Sequence, residues 1–191
     1  MRVIFLDIDG VLNYNGSESR NGIYLGIDNK RVKRLKHIVL QTDAKIVLTS
    51  TWREFYAVGA YLQDNSTGKY LNNKMRKQQL EIYDKIREEV PWNHRGEAIN
   101  LWLTQHPDVD NFVILDDEIF CDYNDFNLMP HLVKTCANLT DELSGLTNGL
   151  TTAAIAILEG YCIGPIIDYG VIRDVFSGYA PDRENLFKFD D

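Results

Sequence analysis

The sequence predicts an α/β domain, a Rossmann-like three-layer sandwich around a mainly parallel central sheet. Three observations point there. Short apolar runs rich in β-branched residues, at about 2–7, 45–50 and 112–115, alternate with stretches of helical period. One helix-length stretch joins the first run to the second, as a right-handed parallel crossover requires. Each run also ends in polar residues: Asp7-Ile8-Asp9, Thr49-Ser50-Thr51 and Asp116-Asp117-Glu118. Ligands of such sheets bind beyond the carboxyl ends of the strands, near the point where strand order reverses. One such polar end says little, but three at the same end of one sheet mark a candidate site.

The elements follow in order. The first strand covers about residues 2–7, and the Asn-, Gly- and Ser-rich stretch 13–29 reads as a loop or small flap. Residues 30–41 place Val32, Leu35, Ile38 and Val39 on one helical face, opposed by lysines and arginines. That basic run reads as a solvated helix face rather than a nucleic-acid patch. Lys45–Ser50 is the second strand. Helical period resumes from about Glu54 to Leu62, residues 64–73 are turn-rich, and 74–89 read as a partly exposed helix carrying Met75, Leu80, Ile82, Tyr83 and Ile86. Pro91 ends it. Asn93 is placed to cap a helix over Arg95–Gln105, with Ala98, Ile99, Trp102 and Leu103 inward. Phe112–Leu115 is the third strand, Leu132–Lys134 a short one, and Thr152–Leu158 a short apolar helix. From Gly160 no clear period remains.

The 191 residues suffice for one domain with a sizeable core. A net charge of −8 argues against a broad, sequence-independent grip on nucleic acid, though not against a small basic patch. Cys121, Cys136 and Cys162 are odd in number and widely spaced, so they read as buried thiols rather than a disulfide frame or zinc site. The chain enters a strand at once and has no apolar run near the roughly 18 residues a membrane span needs. A cytoplasmic protein without a signal peptide or membrane contact is expected.

The stretch Val3-Ile4-Phe5-Leu6-Asp7-Ile8-Asp9-Gly10-Val11-Leu12 carries the most chemistry. Residues two apart on a strand share a side, so Asp7 and Asp9 start together at the end of an apolar strand. Paired carboxylates there call for a cation or a proton, and a hard divalent ion such as Mg²⁺ suits them. A surface turn is the plain alternative. A calcium loop would find Glu18 at its twelfth position, but Asn15, Gly16 and Ser17 and the strand-forming upstream segment fit it poorly.

Together these residues resemble the haloacid dehalogenase (HAD) superfamily. Its motifs are an apolar strand running into Asp-x-Asp-Gly, matched by Phe5-Leu6-Asp7-Ile8-Asp9-Gly10-Val11; a strand ending in Ser or Thr, matched by Ile46-Val47-Leu48-Thr49-Ser50; a Lys or Arg at a helix start, for which Arg95 stands; and a strand ending in an acidic pair, matched by Val113-Ile114-Leu115-Asp116-Asp117. The further runs Thr49-Ser50-Thr51-Trp52-Arg53, Arg95-Gly96-Glu97-Ala98-Ile99, Leu132-Val133-Lys134-Thr135 and Gly-Leu-Thr are similar to one branch, the HAD domain of Swiss-army-knife RNA-repair proteins. The resemblance covers about residues 1–158, with room at 64–92 for a small cap insert. Residues 159–191 form an extension beyond it, open to covering the sheet edge, self-association or a protein partner. A strand usual between the second and third motifs is not readable.

The resemblance implies a phosphatase working through an aspartyl-phosphate. Asp7 would be the nucleophile and Asp9 the general acid and base; dehalogenases lack this second Asp. Asp7, Asp9 through its carbonyl, Asp116 and Asp117 would hold Mg²⁺. Ser50 would bind a phosphoryl oxygen, with Thr49 and Thr51 as alternatives, and Arg95 would stabilise the phosphoryl charge. Arg53 is a second phosphate contact or a structural ion pair, and Asn13 lines the pocket or shapes the loop. Trp52 reads as core, with a base-stacking platform as the alternative. Lys69, Lys74, Arg76 and Lys77 read as a solvated face, or as a guide for a nucleic-acid phosphate. The implied substrate is a phosphate ester, a nucleic-acid terminus or nucleotide. A small-metabolite phosphatase and a catalytically silent binding module are the rivals.

Overall fold

The computed structural model describes residues 1–87, 89–161 and 164–167. Its centre is strand β1 (Arg2–Leu6), followed by a two-stranded hairpin, β2 (Arg20–Asn21) and β3 (Tyr24–Leu25). Helix α1 (Asn29–Thr42), β4 (Lys45–Leu48), a short 3₁₀ turn (Thr51–Phe55), α2 (Ser66–Lys77) and β5 (Ile82–Lys85) come next. Then follow α3 (Arg95–Gln105), β6 (Asn111–Asp116), β7 (Leu132–Lys134) and α4 (Asn148–Leu158). The five-stranded sheet has the order β5-β4-β1-β6-β7, and all its neighbours are parallel. The chain winds outward from β1 through β4 to β5, then returns to β1's other side for β6 and β7. The strand order therefore reverses beside β1, where such sheets bind ligands.

Alternation along the strands builds two cores. Ile4, Leu6, Ile46, Leu48, Val113 and Leu115 face one side, where Val32, Leu35 and Ile38 of α1, Leu71 and Met75 of α2 and the apolar face of α4 close over them. Val3, Phe5, Val47 and Ile114 face the other, against Ala98, Ile99 and Trp102 of α3. Phe5 meets Trp102 edge-on, with ring centroids 5.4 Å apart. The expected three-layer α/β sandwich is the structure found.

Several expectations change. No helix spans 54–62. Gly59 turns left-handed (φ 73°), and the Gln63 amide bonds the backbone of Ala57 and Ala60, groups a helix would have paired internally. The helix read at 74–89 lies earlier, at α2, where Asn65 accepts the Thr67 N–H, and it stops before Gln79 turns left-handed (φ 58°). Ile82–Lys85 is a strand rather than part of a helix: a register shift after Ile82 breaks its alternation, so that Ile82 enters the α1 side of the core and Ile86, just past it, the α3 side, and β5 is the strand not readable between the second and third motifs. Residues 66–85 thus supply a helix and an edge strand of the main sheet, in the stretch that offered room for a cap.

The other side chains resolve individually. Lys74 is committed to the Ile27 carbonyl (2.7 Å) and Asn29 (2.9 Å), and Arg76 stacks over Tyr61. On α1, Lys33 is exposed as expected, but Arg31 is fully buried and bonds Asp28, Asp141 and the Ser144 carbonyl. Cys121 is exposed and Cys136 half-buried, so neither is the buried thiol expected, and Cys162 lies outside the described residues. Of the C-terminal extension, Ile166 pairs in parallel with Val133 and covers the outer edge of β7; residues 168–191 lie outside the described residues. Among the described residues no helix is long and apolar enough to cross a membrane.

Candidate active site

The strands end in step. Leu6 sits opposite Leu48 and Leu115, and the ladder continues one residue further through Asp7 N–H to the Leu115 carbonyl (2.9 Å) and Thr49 N–H to the Leu6 carbonyl (2.8 Å). Asp7 therefore lies between Thr49 and Asp116. Alternation continues the Phe5, Val47 and Ile114 side, so all three side chains face α3. Arg95, the first residue of α3, comes down from that layer. Its Nη1 lies 2.6 Å from Asp116 Oδ2 and 3.2 Å from Asp7 Oδ1, and its guanidinium rests 4.4 Å from the centre of the Phe120 ring. Tyr123 also donates to Asp116 Oδ2 (3.2 Å), and the Glu118 N–H donates to Asp116 Oδ1 (3.0 Å).

One carboxylate oxygen from each of Asp7, Asp116 and Asp117 lies within 4.8 Å of the other two. Glu18, the calcium-loop candidate, is not part of this group. Burial and then the Asp116 charge push Asp7 up to about 8, against the pull of Arg95. Burial also raises Asp116, and burial with the Asp116 charge lifts Asp117 to about 6. For Arg95, burial disfavours the charge, but Asp116 and Asp7 outweigh it and its pKa rises. When all three carboxylates are ionised, the one guanidinium leaves two negative charges uncompensated, the charge of one divalent cation. This all-oxygen donor set is the kind Mg²⁺ prefers.

The profile of a family described as "HAD domain in Swiss Army Knife RNA repair proteins" matches residues 3–148. The chain belongs to that family. No curated protein and no solved structure matches it. The HAD domain is thus an α/β sheet domain of a hydrolase superfamily, and its acidic pair, first-motif aspartate and helix-start cation meet at the carboxyl edge of the sheet.

The remaining site candidates of the HAD domain fall into place individually. Asp9 is exposed and turned from the three-carboxylate group: its Oδ2 accepts from Trp52 Nε1 (2.9 Å) and its Oδ1 from Asn13 Nδ2 (2.7 Å). Asn13 is fully buried and shapes the loop, because its Oδ1 also accepts the Gly10 N–H. Ser50 is buried at the head of the 3₁₀ turn, Thr51 is exposed, and the Thr49 hydroxyl is buried without a hydrogen-bond partner among the described residues. Arg53 folds back on the Thr49 and Ser50 carbonyls, bracing that loop. Asn93 does not cap α3. Asp122 Oδ2 accepts the Glu97 N–H instead (2.9 Å) and fixes the helix end that carries Arg95. Thr135, from the Leu-Val-Lys-Thr run, donates to the Gly10 carbonyl (2.7 Å) and pins the turn after Asp9. Such tertiary caps and braces leave no local sequence signal.

Gly10 has φ 74°, and a Cβ there would overlap the Asp117 carboxyl group. Gly10→Ala is expected to cost about 1–3 kcal/mol of stability and to weaken Mg²⁺ binding roughly tenfold or more. Chemical unfolding and calorimetric titration check the two effects, and wild-type values for both would contradict the packing of Asp117 against this turn.

Proposed function

We propose that this HAD domain is a Mg²⁺-dependent phosphohydrolase that acts through an aspartyl-phosphate on nucleic-acid ends or nucleotides. The observation that carries the reading is the Asp7–Asp116–Asp117 group with Arg95 bridging two of its members. Asp7, Asp116, Asp117 and the Asp9 carbonyl would hold Mg²⁺, which would supply charge neutralisation for the phosphoryl group. Asp7 attacks phosphorus, the bond to the ester oxygen breaks, and Asp9 gives that oxygen a proton, releasing an alcohol. Asp9 then takes a proton from water as the water attacks the same phosphorus. The bond to Asp7 breaks, and phosphate leaves.

Arg95 balances the Asp7 carboxylate before attack and the phosphoryl oxygens after it. Thr49 shares the face of Asp7 and has a buried hydroxyl free to donate, so it joins Ser50 as a donor to a phosphoryl oxygen. Arg53, spent on backbone carbonyls, supports that donor loop. Two further features favour a large substrate. The loops after β1 and β5, at the same sheet edge as Asp7, expose Tyr24 and Trp92, aromatic surfaces on which bases stack. The family's description also names RNA repair.

The deciding experiment measures phosphate release, with Mg²⁺, from 3′-phosphorylated and 5′-phosphorylated oligonucleotides, a mononucleotide and sugar phosphates. Release from an oligonucleotide or nucleotide is expected. Release from sugar phosphates alone overturns the nucleic-acid assignment, and an inert protein across several divalent metals overturns the phosphohydrolase.

A further inference from the structure

Asp9 is the one member of the first motif that the three-carboxylate group leaves out, and its side chain is not loose. Each of its oxygens accepts one hydrogen bond, from Trp52 Nε1 at 2.9 Å and from Asn13 Nδ2 at 2.7 Å. Neither donor is free to turn away. An indole N–H only donates. The Asn13 carbonyl oxygen is taken by the Gly10 N–H (2.9 Å), which directs the Asn13 amide nitrogen at Asp9. Trp52 is itself held: it is the second residue of the 3₁₀ turn after β4, is only 9% exposed, and packs on Tyr70 of α2 with ring centroids 6.3 Å apart. Tyr70 Oη in turn accepts the Ile27 N–H (2.9 Å) at the base of the β2–β3 hairpin. A line of packed groups thus runs from the hairpin through α2 to the carboxylate.

We infer that Trp52 and Asn13 are positioning residues that clamp the Asp9 carboxyl group, fixing the orientation from which it protonates the leaving oxygen. The inference rests on the phosphohydrolase reading above. The clamp leaves one lone pair on each Asp9 oxygen for proton transfer, because both donors occupy a single site. Asp9 is the exposed residue of an otherwise buried turn; its carboxylate would otherwise sample several rotamers, and a small error in its direction costs rate in a proton transfer. Bulk alone would be met by any large apolar residue at position 52; the indole adds a donor with the reach to cross from the β4 loop to the β1 loop.

The test separates positioning from packing by the leaving group. For Trp52→Phe, kcat/KM toward an alkyl phosphate, whose leaving oxygen needs a proton, is expected to fall roughly 10–100-fold. Toward a dinitrophenyl phosphate, whose leaving group departs without one, it is expected to stay within about threefold. In an Asp9→Ala background, Trp52→Phe is expected to add nothing. Equal losses on both substrates, or no loss on either, overturn the inference. A second readout needs no turnover: the Trp52 indole N–H resonance, assigned by its loss in Trp52→Phe, is expected to move upfield in Asp9→Ala. An unmoved resonance overturns the clamp while leaving an active phosphohydrolase standing. An inert wild-type protein removes the clamp's catalytic role together with the parent reading.

Discussion

Asp7→Asn is expected to abolish phosphate release, by roughly 10⁴-fold or more, and at the same time to stabilise the metal-free protein at pH 8. The two effects have one origin. Asp7 is buried beside Asp116 and Asp117, and burial with their charge holds its pKa up at about 8, far above the 3.8 of a free side chain. The folded state therefore binds a proton that the unfolded chain has released. Stability is fully present below about pH 4 and is lost as pH rises toward 8. Asn carries no proton to lose, so the variant keeps what the wild type forfeits, on the order of a few kcal/mol at pH 8. Melting temperatures in EDTA at pH 5 and pH 8 check this. The wild type is expected to melt markedly lower at pH 8, the variant much less so, and Mg²⁺ to restore the wild type. A variant that melts below the wild type at pH 8 would contradict the charge burden assigned to Asp7.

The second large effect lies at Arg95. Arg95→Met leaves Asp7 and Asp116 buried without their shared cation, and breaking such a pair from one side typically costs about 3–5 kcal/mol. The loss is expected to be full near pH 8 and smaller near pH 5, where the raised carboxyl groups take up protons. Arg95→Lys is expected to keep much of the stability, because one nitrogen of Arg95 makes both contacts. Urea unfolding at the two pH values measures all of this. Equal stability of the Met variant and the wild type at pH 8 would show that the bridge is not what holds the two carboxylates.

Much of this site is legible before any coordinates. Asp7, Asp9, Asp116 and Asp117 stand out because apolar strands deliver them, and a carboxylate at the end of a buried strand needs a reason. Arg95 stands out because a cation in the first turn of a helix opposes the helix dipole. The order of strands and helices gives the layers.

What stays hidden is hidden for physical reasons. β5 is a short edge strand whose alternation is broken by a register shift, so that Ile82 and the following Ile86 are buried on opposite faces, four residues apart among Tyr83 and charged residues, a spacing that passes for a helix face. The indole of Trp52 reads as apolar mass, and only the fold reveals where its N–H goes. Asp122 caps a helix from 25 residues downstream of Glu97, and Thr135 braces a turn 125 residues upstream, at Gly10. Pairings over such separations follow from the sheet order, not from any local motif.

That sheet order bears on how the chain comes into being. β1 leaves the ribosome before the other strands of its sheet, yet it ends up in the middle of that sheet. One of its edges finds β4 early, while the other stays bare until Asn111–Asp116 has been made. The same late strand brings Asp116, so a nascent chain carries Asp7 without the crowded charges that burden it later until β6 has been made. The electrostatic difficulty and the last central strand pairing arrive together. Until then the bare edge of β1 is an open template for a stray strand, which makes the interval between the synthesis of β4 and that of β6 the period of greatest exposure to misassembly.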